Sequence, residues 1–354
     1  MKKILADIGR NRTTGVVITV VAALWLLTAC SADDAAEQDG QEELKLEAWA
    51  TRAGDDDGGN YGDIMAFLSS TDGINAQGIF KYSPENDSHY WRAQNLKVKP
   101  GTRTFYLYGF MPAETEMGGS MDRSTNLLTI NNLAPLSEKD ICVVTGVALS
   151  KNILTAEEMV SQHRGKYVFN YKNTDYQETT YLNLRLEPIF GRLEFKFKTG
   201  PEYYKLRRIK LTKIEIEAKA KKKLSAAVTL PSGVYDDVSV AYTSSGEEKD
   251  RKELLWPDPD ETNGTLDGTL TDEPTGPYGG INVAVGVGVN CELICTYEVY
   301  DRKGNKLSER KATNSLSKVM PEKGQKRTVT LTVEPTYLYQ LSEQDLDNPK
   351  MTIE

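Results

Sequence analysis

From residue 64 onward, this 354-residue chain is a succession of short segments in which apolar and polar side chains alternate. Each segment is bounded by Gly, Pro, Asn or Asp, the residues that form tight turns, and many segments are rich in aromatic or β-branched residues. Leu182, Leu184 and Leu186 give the clearest alternation. The chain is therefore predicted to be all-β, because a helix would repeat its apolar residues every three or four positions.

The strand patterns fall into two series, which predict two β-sandwich domains at residues 53–178 and 179–354. The predicted strands of the first series are residues 64–68, 78–82, 90–92, 102–110, 127–130, 141–146 and 167–171. Those of the second series are residues 182–186, 193–197, 211–216, 227–230, 238–242, 283–289, 293–300, 328–333 and 337–341. Residues 247–276 are densest in Pro, Gly and Asp, and we predict a long surface loop there.

A single short helix is predicted at residues 155–163. Thr155 is followed three residues later by Glu158, which is the spacing of a capping box, and neither Gly nor Pro interrupts the segment. His163 ends this helix, where a positive charge would interact favourably with the helix dipole.

Residues 1–29 have the features of a secretory signal. Four basic residues precede an apolar run at residues 16–27, which is too short to span a bilayer. The sequence Leu27-Thr28-Ala29-Cys30 resembles the bacterial lipobox, in which the cysteine becomes the acylated first residue of the mature chain. An ordinary signal peptide with an incidental cysteine is the alternative. Lipidation at Cys30 would place the protein on a membrane surface outside the cytoplasm.

An acidic leader follows the signal at residues 30–52. The first 29 residues hold four bases and one acid, so 39 bases and 50 acids remain in the other 325 residues, a net charge of −11. Residues 31–63 hold eleven acids and two bases, and so account for −9 of that charge. The remainder is nearly neutral and offers no basic face for a nucleic acid. Residues 31–34 resemble the acidic export signal of surface-exposed lipoproteins in Bacteroidetes, or are simply part of an acidic linker.

Within the leader, Leu44, Leu46 and Ala48 alternate with polar residues and predict a short strand at residues 44–49. Arg52 follows it and precedes Ala53 and a run of Asp and Gly. An arginine in a flexible segment is a site where a trypsin-like protease would cut.

No combination of residues in the sequence predicts catalysis, a metal or a cofactor. His89 and His163 have no second ligand at metal-binding spacing. Residues 258–269 fail as a calcium loop, because Asn263 replaces the required Gly and Thr269 the required Glu. The odd set of three cysteines after the leader allows at most one internal disulfide, of Cys142 with Cys291 or Cys295, and buried free thiols that pack as small apolar residues are the alternative.

Aromatic pairs leave a second function open. Tyr90-Trp91, Tyr203-Tyr204 and Trp256-Pro257 would stack on sugar rings if they were exposed, as in a surface-exposed glycan-binding lipoprotein. In β-sandwiches most such residues fill the core instead.

The order of these parts resembles the fimbrillins of the Bacteroidales, the FimA/Mfa-like subunits of type V pili. The features that carry the resemblance are the lipobox ending at Cys30, the acidic leader, Ala50-Thr51-Arg52-Ala53, Tyr90-Trp91, the aromatic residues 105–112, and Ile189-Phe190-Gly191-Arg192-Leu193-Glu194-Phe195-Lys196-Phe197. A His that is common in the last of these motifs is absent here.

The resemblance implies two transthyretin-like, Greek-key β-sandwiches in tandem, and a mode of assembly. The lipidated precursor would reach the outer membrane, where an arginine-specific or trypsin-like protease would cut between Arg52 and Ala53. Loss of the strand that holds Leu44, Leu46 and Ala48 would open a groove for a strand of another pilus subunit. The candidate donor is the C-terminal segment, residues 336–354, with Tyr337, Leu338, Tyr339 and Leu341. Its polar end and Pro349 depart from a good strand pattern.

Overall fold

A computed structural model of the chain describes residues 42–52, 61–71, 73, 75–83, 90–101, 103–172, 180–254, 268–286, 289–334 and 350–353. As predicted, the protein is all-β. Its strands are β1 (Glu42–Glu43), β2 (Glu47–Arg52), β3 (Ile64–Ser70), β4 (Asn75–Ser83), β5 (Tyr90–Gln94), β6 (Lys97–Val98), β7 (Thr104–Met111), β8 (Gly118–Asp122), β9 (Leu127–Leu133), β10 (Leu136–Ser137), β11 (Cys142–Ser150), β12 (Val168–Asn170), β13 (Tyr181–Pro188), β14 (Phe190–Thr199), β15 (Arg208–Thr229), β16 (Ser239–Glu253), β17 (Thr275–Ala284), β18 (Cys291–Tyr300), β19 (Lys306–Ser315), β20 (Lys326–Glu334) and β21 (Lys350–Ile353).

An eight-stranded sheet is built from the N-terminal half, in the order β11-β13-β2-β5-β4-β3-β7-β12. Strand β7 also pairs with β11, where Met111 is the partner of Cys142, so the sheet closes on itself. The inward side chains of these strands form one hydrophobic core, which includes Phe80, Trp91 and Phe105. Strand β7 is covered on both faces, because its outward residues enter a second core.

The C-terminal half forms two further sheets. One has the order β19-β18-β15-β9-β8 with β16 on the other edge of β15, and the other has the order β10-β17-β14-β20-β21. Apolar residues of the two sheets, such as Phe195 on β14 and Ile214 on β15, share one core. A separate core lies between the closed sheet and the C-terminal half, and joins Phe110 to Ala226.

Strand pairing crosses the predicted domain boundary in both directions. Strand β13 follows residue 179 but pairs with β11 and β2 of the first sheet. Strands β8 and β9 precede it but join β15 through pairs such as Ile130 with Ala226. The predicted boundary near Thr179 therefore precedes the last strand of the first sheet, β13, and the halves are interleaved. The alternation pattern locates a strand but does not specify its partner.

Strand bounds also differ from the prediction: β2 begins at Glu47 rather than at residue 44, β17 ends at Ala284 rather than at residue 289, and β19 was not predicted. Residues 211–216 and 227–230 belong to one continuous strand, β15, because β18 and β9 pair in succession along the same edge of it. The predicted loop at residues 247–276 is strand at both ends, since β16 continues to Glu253 and β17 begins at Thr275.

The predicted helix is present, with a capping box. The backbone N–H of Glu158 donates to the Thr155 hydroxyl at 3.3 Å, and the Thr155 N–H donates to the Glu158 carboxylate at 2.8 Å. Helix α1 (Ala156–Glu158) continues as a π-helical turn, Met159–His163. A further helical turn that the sequence pattern did not indicate, α2 (Pro201–Leu206), begins with Pro at its first position. Within the described ranges, helices are too short and too polar to cross a membrane.

Candidate functional site

The site that the sequence singles out is the leader strand, and the structure places it inside the closed sheet. Strand β2 lies between two neighbours and pairs with both. It runs antiparallel to β5, with Ala48 opposite Trp91, and parallel to β13, with Ala48 opposite Leu182. Residues from the leader therefore connect the two ends of a sheet that is otherwise built from residues 61–188.

The inward face of the leader matches the predicted alternation. Leu44, Leu46 and Ala48 are 1%, 3% and 0% exposed and belong to the core of the closed sheet. Backbone hydrogen bonds continue the pairing before the regular strand begins. The Leu44 N–H donates to the Leu96 carbonyl at 2.7 Å, and the Ala93 N–H donates to the Leu46 carbonyl at 3.0 Å. The apolar contact thus starts several residues before β2.

Aromatic side chains pack together on the outward face of β2. The indole of Trp49 stacks on Tyr90, with ring centroids 5.6 Å apart, and meets the edge of Tyr181 at 4.5 Å. Arg92 on β5 forms an ion pair with Glu47 at 3.2 Å. The leader is consequently fixed to both neighbouring strands by side chains on its outer face as well as by its buried leucines.

The first residues of the leader are held by polar contacts. The Tyr171 hydroxyl donates to the Lys45 carbonyl. The backbone N–H of Asn95 donates to the Glu43 carboxylate at 3.0 Å, and β1 pairs with β6. Lys45 thus projects from a segment whose backbone is hydrogen-bonded and whose two neighbouring leucines are buried.

Arg52 is the last residue of β2 and is aligned with Leu186 of β13. The sequence predicts a flexible segment at Arg52, whereas its backbone is paired with β13. On the other side of β2, the described pairing with β5 runs as far as Trp49 and Tyr90, and residues 84–89, which precede Tyr90, lie outside the described ranges. Arg52 is thus at the end of a strand that is paired on both sides at its beginning.

Other predicted residues lie outside the part of the chain that the structure describes. These are Cys30, Ala53, Tyr337, Leu338, Tyr339 and Leu341. The final strand of the chain, β21, pairs antiparallel with β20 at the edge of its sheet, with Ile353 opposite Leu331.

The remaining sequence candidates are structural. Cys142 lies in the core of the closed sheet, whereas Cys291 and Cys295 lie in the core of the C-terminal half, and all three are buried. Burial raises the pKa of the Cys291 thiol to about 12. Burial, and then the charge of Lys166, lower the pKa of His163, so its imidazole is neutral at pH 7 rather than a cation at the helix end.

The aromatic pairs considered for sugar stacking are largely in the core. Tyr90, Trp91 and Tyr203 are all buried, as expected for a β-sandwich, and Trp256 lies outside the described ranges. In the residues that the structure describes, no group of three His, Cys, Asp or Glu side chains is arranged to hold a metal ion.

No protein-family profile matches the sequence, and no curated protein matches it. Comparison with solved structures finds several that are similar to this chain. A proposed cell adhesion protein from Bacteroides uniformis has a TM-score of 0.39 and 10% identity, over 88% of this chain and 96% of that chain. A fimbrial protein from Bacteroides vulgatus has a TM-score of 0.34 and 10% identity, over 88% of this chain and 98% of that chain. The fimbrial anchor protein Mfa2 from Porphyromonas gingivalis has a TM-score of 0.32 and 10% identity, over 88% of this chain and 97% of that chain.

Proposed function

We propose that this protein is a structural or accessory subunit of a cell-surface fimbria, built from two transthyretin-like, Greek-key sandwiches in tandem and supporting adhesion. It is exported as a lipoprotein acylated at Cys30, which anchors it to the outer membrane until a trypsin-like protease cuts after Arg52. Subunits then assemble by strand exchange. This is a binding and structural role, and it requires no catalytic group, metal or cofactor.

One observation carries the proposal: a leader segment that precedes a protease-type site occupies a central position in a closed sheet. If residues 42–52 departed, β13 and β5 would lose a common neighbour and the buried positions of Leu44 and Leu46 would become an apolar trough. Unpaired strand edges beside such a trough are a template for a strand from another chain. A glycan-binding lipoprotein has no need of a leader with this placement.

The energetics allow such an exchange. Burial of two leucines contributes about 3 to 6 kcal/mol, before the cost of ordering the segment. That contribution is enough to keep the groove filled while the leader is covalently attached. After cleavage, a longer apolar segment from a neighbour would displace a leader that is no longer tethered to the sandwich.

Arg52 is favoured over Lys45 as the processing site by its position at the end of β2. Lys45 lies between two buried leucines, and its carbonyl accepts a hydrogen bond from Tyr171. The residues that follow Lys45 pair with both β5 and β13. A protease binds an extended segment of its substrate, and the end of a strand opens more readily than a segment with buried side chains, so cleavage is favoured at Arg52.

The donor in this proposal is the C-terminal segment of a neighbouring subunit, residues 336–354. Tyr337, Tyr339 and Leu341 would occupy one face of the incoming strand and Leu338 the other. The end of this segment pairs only with β20 at a sheet edge, within the described part of the chain. Its departure would break one strand pairing.

Polymerisation after cleavage tests the proposal. Precursor, trypsin-cleaved protein and cleaved protein truncated after Pro335 should be compared by size-exclusion chromatography and electron microscopy. We expect polymers from the cleaved full-length protein alone. Polymers from an uncut Arg52→Ala precursor would contradict gating by the leader, and equal polymerisation of the truncated protein would place the donor strand elsewhere.

A further inference from the structure

A cleft of about 490 Å³, whose lining residues do not include the leader, lies between the outer face of the closed sheet and strand β8. Strands β4, β3 and β7 form its floor, and β8 with the turn after it forms one wall. A volume of this size is in the range of small-molecule sites. No role in the proposed function requires this cleft.

The floor consists of two rows of side chains that the strand register aligns. In the first row, Gln77 is opposite Phe67, which is opposite Tyr108. In the second row, Asn75 is opposite Ser69, which is opposite Tyr106. Residues directly opposite one another in antiparallel strands share a face. The floor therefore combines aromatic rings with amide and hydroxyl groups.

Arg123 supplies a positive charge at the edge of this floor. Its guanidinium lies 3.9 Å from the centroid of the Tyr106 ring, and its Nη1 donates to the Ser69 hydroxyl at 3.1 Å. Stacking on an aromatic ring occupies one face of a guanidinium and leaves its in-plane N–H groups available. The arrangement positions several unused donors over the cleft.

Arg123 has no carboxylate partner among the described residues. The neighbouring Asp122 is committed to its own turn, where its carboxylate accepts hydrogen bonds from Ser124 at 2.7 Å and Thr125 at 2.8 Å. These hydrogen bonds, that of the Ser124 hydroxyl first, hold the pKa of Asp122 below its ordinary value. The described walls of the cleft contain no Asp or Glu, so the site favours an anion.

We propose that this cleft binds a carboxylated sugar unit, either free or at the end of a glycan. Arg123 would hold the carboxylate in a bidentate contact, which matches the planar geometry of the two groups. The exposed amide of Asn75 offers both donors and an acceptor to the ring hydroxyls, and the exposed amide of Gln77, whose Nε2 donates to the Met65 sulfur at 3.1 Å, offers its oxygen as an acceptor. The half-buried ring of Phe67 offers an apolar surface to the ring carbons.

The volume of the cleft favours a single small unit over an extended chain. The strands of the floor are paired on both sides, so a ligand on the floor contacts side chains rather than a strand edge. The ligand is thus recognised through its carboxylate, its hydroxyls and one apolar face.

Calorimetric titration of the full chain with glucuronate, glucose and trigalacturonate tests the proposal. We expect glucuronate to bind at least tenfold more tightly than glucose, and the affinity for it to fall as salt is raised. Binding of free glucuronate alone would indicate a soluble ligand, and comparable binding of trigalacturonate would indicate a glycan end. Equal affinity for glucose and glucuronate would overturn the proposal, as would binding of a glutamate-rich peptide in place of the sugars.

Substitutions assign the binding to this cleft. Arg123→Gln should weaken glucuronate binding at least tenfold, and Gln77→Ala should weaken it without changing the salt dependence. Arg208→Gln is the matched control, because Arg208 is likewise exposed and lies over a tyrosine ring, that of Tyr204 at 6.0 Å. Thermal melting should be unchanged in all three variants. Undiminished binding by Arg123→Gln, or equal losses in Arg123→Gln and Arg208→Gln, would contradict the assignment.

Discussion

At the scale of single residues, Glu187 is a buried charge between the closed sheet and the segment that follows β15. Arg164 approaches it with two nitrogens, at 2.5 and 3.1 Å, and Arg185 donates to it at 3.0 Å. Arg164 also donates to the Val234 carbonyl at 2.6 Å, which links this ion pair to the other half of the chain. The side chains of Arg164 and Glu187 are only 11% and 12% exposed.

Replacement of Arg164 should be strongly destabilising. In Arg164→Ala, Glu187 keeps its buried position but loses its two-nitrogen partner, and such losses cost about 3 to 5 kcal/mol of unfolding free energy. Denaturation with guanidinium chloride measures the change. The control is Lys81→Ala, because the exposed Lys81–Asp63 pair at 2.7 Å should contribute less than about 1 kcal/mol. Equal losses of unfolding free energy in the two variants would show that the buried ion pair stabilises the protein no more than the exposed one.

The same pair predicts a dependence of stability on pH. Burial acts to raise the pKa of Glu187, but hydrogen bonds and charge from Arg164, together with Arg185, outweigh burial and hold it below its ordinary value. A lowered pKa contributes stability that is present above about pH 4.3, the pKa of an unfolded Glu, and is lost as the pH falls through the folded value. Glu187→Gln should therefore lose less stability between pH 7 and pH 3 than the unchanged protein, in denaturant titrations at each pH. An unchanged slope would assign the acid sensitivity to other carboxylates.

Some of these residues were predictable and others were not. Thr155 and Glu158 are three residues apart, so the sequence alone indicates their capping box. Glu187 and Arg164 come from distant segments, and nothing local relates them. Arg123 gave no signal either, because its position over the cleft depends on the register of β3, β4 and β7 and on the crossing of β8 into another sheet.

At the scale of elements, β2 and the residues before it are the segment on which the proposed function depends. Leu46→Ala should reduce the unfolding free energy by about 2 to 5 kcal/mol, because the deletion leaves a cavity in the core of the closed sheet. Lys45→Ala is the matched control, since the Lys45 side chain is exposed and its carbonyl is retained; it should change stability by less than about 0.5 kcal/mol. Urea denaturation of the uncut precursor provides the comparison. A small effect of Leu46→Ala would mean that the leader is only loosely held.

The alternation of Leu44, Leu46 and Ala48 predicted their buried face, although the regular strand β2 begins at Glu47, three residues later than predicted. Its neighbours were not predictable, because the parallel partner β13 lies far along the chain and the alternation is equally compatible with any strand that offers an apolar face. The lysine-rich residues 219–223 interrupt the apolar pattern, so β15 was predicted as two separate strands. In the structure the strand continues through them, paired with β18 before these residues and with β9 after them.

At the scale of the whole molecule, the sequence correctly indicated an all-β chain but not how its halves share strands. Strands β8 and β9 contribute to a C-terminal sheet, β13 contributes to the closed sheet, and a common core lies between them. Because of this interleaving, each half needs strands from the other half to complete its sheet. The leader stands apart, because it is the one central strand of the closed sheet that lies before the proposed cleavage site.

The proposed function depends on removal of this leader before the protein takes up its place at the cell surface. N-terminal sequencing of protein that is sheared from intact cells as assembled material tests this step. We expect Ala53 as the first residue, with Leu44, Leu46 and Ala48 absent from the sheared protein. An N-terminus at the acylated Cys30, in material that is already polymerised, would contradict it.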